Sequence, residues 1–185
     1  ENEETIRIAA EFLSDSDGVV AVDLAGAEAL FPTSDYEKLF AHARAEGIPF
    51  TIHAGEAAGP ESIRQAVDYG TARIGHGVNC IHDKNLMNII AEKGITLELC
   101  PTSNLNTKIV NDIKDYPIDK IINNKIKVTI NTDNMTVSGT DEASEMKLIC
   151  DTFGYDGNMR RIFVDNAIDA AFLSNEMKEK LRGNL

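Results

Sequence analysis

Five short apolar runs rich in β-branched residues recur along the chain and predict strands. The runs are continuous rather than strictly alternating, which is typical of strands covered on both faces in a parallel sheet. They read GVVAVDLAG (18–26), IPFTIHAGE (48–56), TARIGHG (71–77), GITLELCP (94–101) and KIKVTINTD (125–133).

Helical patterns separate these runs, and several have recognisable ends. Ser34 and Glu37 have the spacing of a capping box. Pro60 suits the first position of the next helix, and the helix after that begins on Asp83 and ends at Gly94. Further helical patterns lie at 1–13, 116–124, 141–154, 158–173 and 175–183.

The alternation of strands and helices predicts consecutive βα units and a parallel sheet. Five such units can be counted, about as many as a doubly wound open sheet needs, whereas a (β/α)₈ barrel needs eight units and about 250 residues. No segment rich in Pro, Gly or Ser interrupts the pattern. Residues 1–185 are therefore predicted to belong to a single domain.

Composition and charge narrow the functional classes. The net charge is −12 and no Lys/Arg cluster stands out, which disfavours nucleic acid as a partner. No apolar run approaches the roughly 20 residues of a membrane span. Cys80, Cys100 and Cys150 lack a disulfide-rich spacing, which favours a reducing, cytoplasmic location. The opening ENEETIRIAAEFL lacks an initiator Met, so we expect a piece of a longer protein.

Polar or small residues stand at the C-terminal end of every predicted strand. At this edge of barrels and open α/β sheets, catalytic groups gather. No Gly-rich phosphate-binding fingerprint accompanies them, so nucleotide phosphate binding is not indicated. The strand-end residues are Asp23, Gly26, His53, Glu56, His76, Ser103, Asn104, Asp133 and Asn134.

Each candidate also has an ordinary structural interpretation. His53 could be a hydrogen-bonded structural imidazole, Glu56 a solvated carboxylate, His76 part of a tight turn, and Asp133 a helix or turn cap. Taken together they suit a catalytic zinc, which takes imidazole and carboxylate ligands and leaves a position open for water.

Other polar candidates favour structural roles. His42 lies inside a helical pattern, and His82 precedes an N-cap. Cys100 is interpreted as a small buried side chain rather than a nucleophile.

Four motifs in this order, HAGE (53–56), RIGHG (73–77), CPTSN (100–104) and NTDN (131–134), resemble the adenosine deaminase family of the metal-dependent amidohydrolase superfamily. VVAVDLAG (19–26) is similar to the strand that precedes them in that family. The resemblance covers nearly all of the chain. It implies a (β/α)₈ barrel with Zn²⁺ that converts adenosine to inosine and ammonia.

The resemblance also implies a role for each matching residue. His53 and Asp133 would be zinc ligands, and Asp133 would take a proton from the attacking water. His76 would orient and stabilise the attacking hydroxide, and Glu56 would give a proton to purine N1. The backbone N–H of Gly26 would meet purine N3.

Two departures from the family pattern matter. Asn134 stands where the family has a second Asp that contacts N7; an amide can donate a hydrogen bond there without being protonated. The His-x-His motif of the family's first strand, which gives two further ligands, is absent. The expectation is a partial (β/α)₈ barrel: the C-terminal part of the domain, with about its last five βα units and C-terminal helices.

Alternatives to adenosine deamination stay open from sequence. One is an adenine deaminase of the same superfamily, and the other is a non-catalytic fragment or interaction module. The predicted partner is a small purine nucleoside, with no nucleic acid and no membrane. Because a partial barrel leaves two strand edges unpaired, we also expect self-association or association with the missing N-terminal part.

Overall fold

Five parallel strands form one sheet in the computed structural model, which describes residues 1–14 and 17–184. Their spatial order is β1-β2-β3-β4-β5, the same as their order in the chain. A doubly wound sheet reverses its strand order at a switch point, and this one does not. The fold is therefore an arc of a (β/α)₈ barrel, as the resemblance implied. The strands are β1 Val22–Leu24, β2 Phe50–Ala54, β3 Arg73–His76, β4 Thr96–Leu99 and β5 Lys127–Ile130.

Helices connect the strands and continue after β5, as predicted. Two short helices, α5 and α7, directly follow β4 and β5 in the chain and were not predicted. No described helix is long and apolar enough to cross a membrane. The helices are α1 Asn2–Glu11, α2 Glu37–Ala45, α3 Pro60–Asp68, α4 Lys84–Lys93, α5 Pro101–Asn106, α6 Ile118–Asn123, α7 Met135–Ser138, α8 Glu142–Phe153, α9 Gly157–Ala170 and α10 Asn175–Arg182.

The two faces of the sheet differ sharply in polarity. Side chains alternate between faces along a strand, and the parallel register aligns them from strand to strand. One face packs in the same apolar core as the helices, and burying an Ile or Leu side chain there stabilises the fold by about 1.5–3 kcal/mol. Its residues are Val22, Leu24, Phe50, Ile52, Ala54, Ile74, Leu97, Leu99, Val128 and Ile130.

The opposite face of the sheet is polar, although Thr51, Thr96 and Thr129 on it are buried. Arg73 and Glu98 form an ion pair there at 2.7 Å, and Thr51 donates to Glu98 at 3.1 Å.

The predicted capping box at Ser34 is wrong. Ser34 lies within a 3₁₀ turn, Thr33–Tyr36, and helix α2 begins after Tyr36 without a side-chain cap. The other predicted ends are confirmed. Pro60 occupies the first turn of α3, and Asp83 accepts a hydrogen bond from the Leu86 N–H at the start of α4.

The sheet has two terminal strands, β1 and β5, and a helix packs against β5. Among the described residues β1 pairs only with β2, and β5 only with β4. Helix α9 packs against β5, where Asn166 Nδ2 donates to the Val128 carbonyl at 3.0 Å. Large apolar side chains are exposed in the loop after β1 and in helix α7 after β5: Leu30 (74%), Phe31 (59%), Met135 (53%) and Val137 (80%).

The first prediction concerns the 185-residue chain by itself. We expect self-association, because an unpaired edge at β1 and exposed apolar loop residues both favour contact with another chain. Sedimentation velocity over a range of concentrations measures it. Replacing Leu30 and Phe31 by Ser separates the loop contribution from strand pairing. A compact monomer at every concentration, with a cooperative melt, would contradict the expectation.

Candidate active site

The sequence-predicted residues converge at the C-terminal ends of the strands. His53 is in β2, His76 ends β3, and Asp133 follows β5. The ring centroids of the two histidines are 5.1 Å apart. One ligand-type atom of each of the three residues lies within 4.8 Å of the others. The barrel arc thus brings together side chains that are up to 80 residues apart in the chain.

Two of these residues have strained backbone. His76 has φ +59° and Asp133 has φ +56°, both in the left-handed region that side chains other than glycine rarely adopt. Such conformations cost about 1–3 kcal/mol each and persist only where surrounding structure enforces them. Both residues lie where a strand ends and the loop at the site begins. Their left-handed backbone breaks the alternation of side chains along the strand and so changes the direction of both side chains.

Glu56 lies beside His76 although it belongs to the loop after β2. Its Oε1 accepts from Asn104 Nδ2 at 3.4 Å and from Thr107 Oγ1 at 3.2 Å. Its Oε2 is 3.7 Å from His76 Nε2. The carboxylate is therefore held beside the buried His76 imidazole.

Asn104 fixes the tautomer of His76. Its Oδ1 accepts from the Tyr116 hydroxyl, so its Nδ2 is the atom that lies 3.1 Å from His76 Nδ1. His76 Nδ1 is then an acceptor, and the proton of the neutral ring sits on Nε2. Burial is the largest influence on His76 and lowers its pKa, while the neighbouring Glu56 carboxylate opposes that shift.

His53 presents the opposite arrangement. Its Nδ1 faces Asp23 Oδ1 at 3.4 Å, and this hydrogen bond is the main reason its pKa is raised. With Nδ1–H directed to a carboxylate, Nε2 carries the lone pair, as in metal-binding histidines oriented by an outer carboxylate. Gly75 lies directly beside the ring, and a Cβ there would be 2.9 Å from His53 Nδ1.

The cleft between these strands has a volume of about 310 Å³, the size of a small-molecule site. Asp133 is exposed to it and accepts from Ser103 Oγ at 2.7 Å. Cys100 also borders the cleft, but burial raises the pKa of its thiol well above the usual range, which agrees with a structural role.

Gly26 and Asn134, the two predicted substrate contacts, lie at the margins. Gly26 lines a smaller pocket that shares His53 with the main cleft, and a Cβ on it would meet nothing within 4 Å. Asn134 caps helix α7, where its Oδ1 accepts from the Val137 N–H at 3.0 Å. The group that remains for a ligand is its Nδ2 amide, a donor.

His42 and His82 lie outside the site, as expected. His42 pairs with Glu3 at 2.7 Å on helix α2, and His82 is exposed in the turn before Asp83. Sequence reasoning missed Thr107, whose contact with Glu56 arises only when the loops after β2 and β4 meet. It also missed Tyr116, which contacts Asn104 from further along the same connection between β4 and β5.

The donor set fits part of a zinc site. His53 Nε2 and the Asp133 carboxylate are ligands of the types that Zn²⁺ takes in catalytic centres. His76 Nε2 is buried and has no hydrogen-bond partner among the described residues. Because its Nδ1 accepts from Asn104, this Nε2 is an N–H donor directed at the site rather than a ligand. About three protein ligands are usual for catalytic zinc, so the described residues account for two.

The strand order and the strand-end cleft define an arc of a (β/α)₈ barrel with a candidate active site at its C-terminal edge. The chain matches the family model for adenosine deaminase over residues 1–185, and it belongs to that family. It is 45% identical over 185 residues to the adenosine deaminase of Haemophilus ducreyi, covering 100% of this chain and 54% of that protein. The Clostridium perfringens adenosine deaminase is 42% identical over 167 residues, covering 89% and 50%. The chain thus spans about half the length of these relatives.

Solved structures show the same fold. An adenine deaminase from Arthrobacter aurescens matches with TM-score 0.88 and 22% identity, over 98% of this chain and 56% of that one. The N6-methyl-AMP deaminase of Arabidopsis thaliana matches with TM-score 0.87 and 28% identity, over 98% of this chain and 52% of that one. A Burkholderia ambifaria amidohydrolase with bound Zn matches with TM-score 0.86 and 24% identity, over 99% of this chain and 52% of that one.

We predict that Gly75→Ala in the complete protein lowers zinc affinity while the fold is kept. The new methyl group would displace the His53 ring from Asp23, and loss of such an outer contact typically costs about 10–100-fold in metal affinity. Competition with a chelator measures the affinity. Gly157→Ala is the matched control, because a Cβ there meets nothing within 4 Å. Equal zinc affinities in both variants would refute the role of Gly75.

A second prediction tests the Asn104 network through stability. Tyr116 is buried and its hydroxyl donates to Asn104 Oδ1 at 2.9 Å. Tyr116→Phe should lower the free energy of unfolding by about 1–3 kcal/mol, because a buried acceptor is left unpaired. Urea denaturation of the complete protein measures this. The control, Tyr36→Phe, alters a half-buried ring and should change stability by less than about 0.5 kcal/mol. Similar values for both would show that the network is weak.

Proposed function

We propose that the protein carrying this chain is a zinc-dependent adenosine deaminase, which hydrolyses adenosine to inosine and ammonia in purine salvage. The observation that carries the proposal is the convergence of Glu56 and His76 with the His53–Asp133 pair at one edge of the sheet. Membership of the adenosine deaminase family and the names of the relatives support it.

The proposed metal ligands within this chain are His53 and Asp133. A bound Zn²⁺ would supply Lewis-acid activation of water at neutral pH. Asp133 can accept the proton that the attacking water loses, and Ser103 holds its carboxylate at 2.7 Å for that task. The His76 Nε2–H can donate to the attacking oxygen and so orient it toward C6 of the purine.

Glu56 is the proposed general acid. Delivery of its proton to purine N1 makes C6 electrophilic, because the ring nitrogen can then accept the electron pair displaced by attack. Asp133 can then pass the proton taken from water to the departing NH₂ group, so that ammonia leaves C6. The C6 hydroxyl proton returns to Glu56 as the carbonyl of inosine forms. The Gly26 N–H is proposed to meet N3, and Asn134 Nδ2 is proposed to donate to N7.

Charge in the cleft favours a nucleoside over a nucleotide. The residues that line it include four carboxylates and neither Lys nor Arg: Asp23, Glu98, Asp133 and Glu142. A phosphate group would be repelled by these carboxylates.

The free state of the three cysteines supports the predicted cytoplasmic location.

We further propose that residues 1–185 form the C-terminal part of a single barrel domain. Five βα units of eight are described, and the chain spans 54% of the Haemophilus ducreyi protein. Additional strands would pair with β1 and β5 and would carry the remaining metal ligands.

The key prediction is that Glu56→Gln in the complete protein nearly abolishes turnover with fold and zinc retained. Gln has the same size but cannot deliver the proton, and a general acid is typically worth about 10²–10⁴-fold in rate. The ultraviolet change on conversion of adenosine to inosine measures the rate, with Glu92→Gln on the exposed face of α4 as control.

The same assay distinguishes the alternatives when adenine and AMP are offered beside adenosine. Preference for adenine would favour the related base deaminase, and no turnover of any purine would favour a non-catalytic protein. A Glu56→Gln rate within a few-fold of the parent would remove Glu56 from the proposed mechanism.

A further inference from the structure

Glu28, in the loop after β1, binds a run of backbone amides in the neighbouring loop. The N–H groups of four consecutive residues, 55 to 58, donate to its carboxylate at 2.6, 3.1, 2.8 and 2.9 Å. Ser62 Oγ also donates to it at 2.5 Å. Glu28 is only 9% exposed. A buried carboxylate that accepts five hydrogen bonds is well compensated for its loss of water.

The opposite side of the same loop is held as firmly. Asn79 Nδ2 donates to the carbonyl oxygens of Glu56 at 3.0 Å and of Ala58 at 2.8 Å. Gly55 has φ +72°, and a Cβ there would lie 2.2 Å from Ile63 Cδ1. The loop that carries Glu56 therefore has its N–H groups, its carbonyls and its tightest turn all fixed.

A buried hydroxyl chain extends the same network to the loop after β1. Ser62 Oγ lies 2.8 Å from Thr33 Oγ1, and Thr33 is 1% exposed. The Glu28 N–H also bonds the Gly26 carbonyl at 3.0 Å. One carboxylate thus connects the loop that carries Gly26 with the loop that carries Glu56.

We infer that Glu28 is a positioning residue that fixes the Glu56 carboxylate relative to the Gly26 N–H. This inference rests on the proposed function, in which these two groups address N1 and N3 of one purine ring. Glu28 itself faces backbone amides rather than the cleft, so it acts through Glu56. Without it, the loop of residues 55–58 would lose the acceptor for all four N–H groups. The Glu56 carboxylate would then no longer be held in one position relative to the Gly26 N–H.

The test begins with Glu28→Gln in the complete protein. Gln replaces one acceptor oxygen by an NH₂ donor that would face N–H groups. We expect kcat to fall about 10–100-fold with KM changed less than about threefold, since misplacement of a catalytic group by 1 Å can cost about 10²-fold. Glu92→Gln, an exposed carboxylate on α4, serves as control and should keep the parent kcat.

Two readouts separate positioning from a general structural role. Amide hydrogen exchange should accelerate at residues 55–58 in Glu28→Gln and stay at the parent rate in β3 and β4. In a double-mutant cycle, Glu28→Gln should cost nothing further in a Glu56→Gln background, because residues that act as one unit are not additive. Additive losses, or exchange at 55–58 equal to the parent, would overturn the inference.

Glu28→Asp covers the case in which the Gln variant fails to fold. Asp keeps the charge but is one methylene shorter, so the kcat of this variant should fall by about threefold to tenfold, with partial acceleration of exchange at 55–58. Parent-like kcat and exchange in this variant would overturn the inference. A parent protein that does not deaminate adenosine would defeat the proposed function, while the exchange measurement would still decide whether Glu28 holds the loop.

Discussion

The parallel register of β2, β3, β4 and β5 is the constraint on which the site depends. Each strand buries one apolar face against the helices, and this burial fixes which residues face the cleft. A slip of one residue in β2 would send His53 into the apolar core and Ile52 into the cleft. The geometry of the candidate active site is therefore a consequence of core packing on the opposite face of the same strands.

A set of hydrogen bonds around the site fixes the orientation of the side chains that the strand register brings together. Asp23 orients His53, Asn104 orients His76, and Ser103 orients Asp133. Glu28 holds the backbone of the loop that carries Glu56. Each functional side chain thus has a partner from a neighbouring βα unit, so the site requires several units to be assembled together. The left-handed backbone at His76 and Asp133 shows where this assembly holds residues against their local preference.

Much of this arrangement could be predicted from the sequence, because strand runs, helix ends and strand-end polar residues are local signals. The convergence of His53, His76, Glu56 and Asp133 followed from placing them at the same end of parallel strands. The polar face of the sheet was not predicted, since buried Thr51 and Thr129 look like core residues in the sequence. Glu28 gave no signal, because its partners are backbone N–H groups 27 to 30 residues further along the chain. The Ser34 capping box failed because a 3₁₀ turn occupies those residues.

The measurement that tests the account most directly is a crystal structure of the complete protein with zinc and inosine, recorded at the zinc absorption edge. The account predicts an anomalous peak at His53 and Asp133, with the Glu56 carboxylate beside purine N1 and the Gly26 N–H beside N3. A metal bound away from His53 and Asp133, or a purine placed out of reach of Glu56, would contradict it.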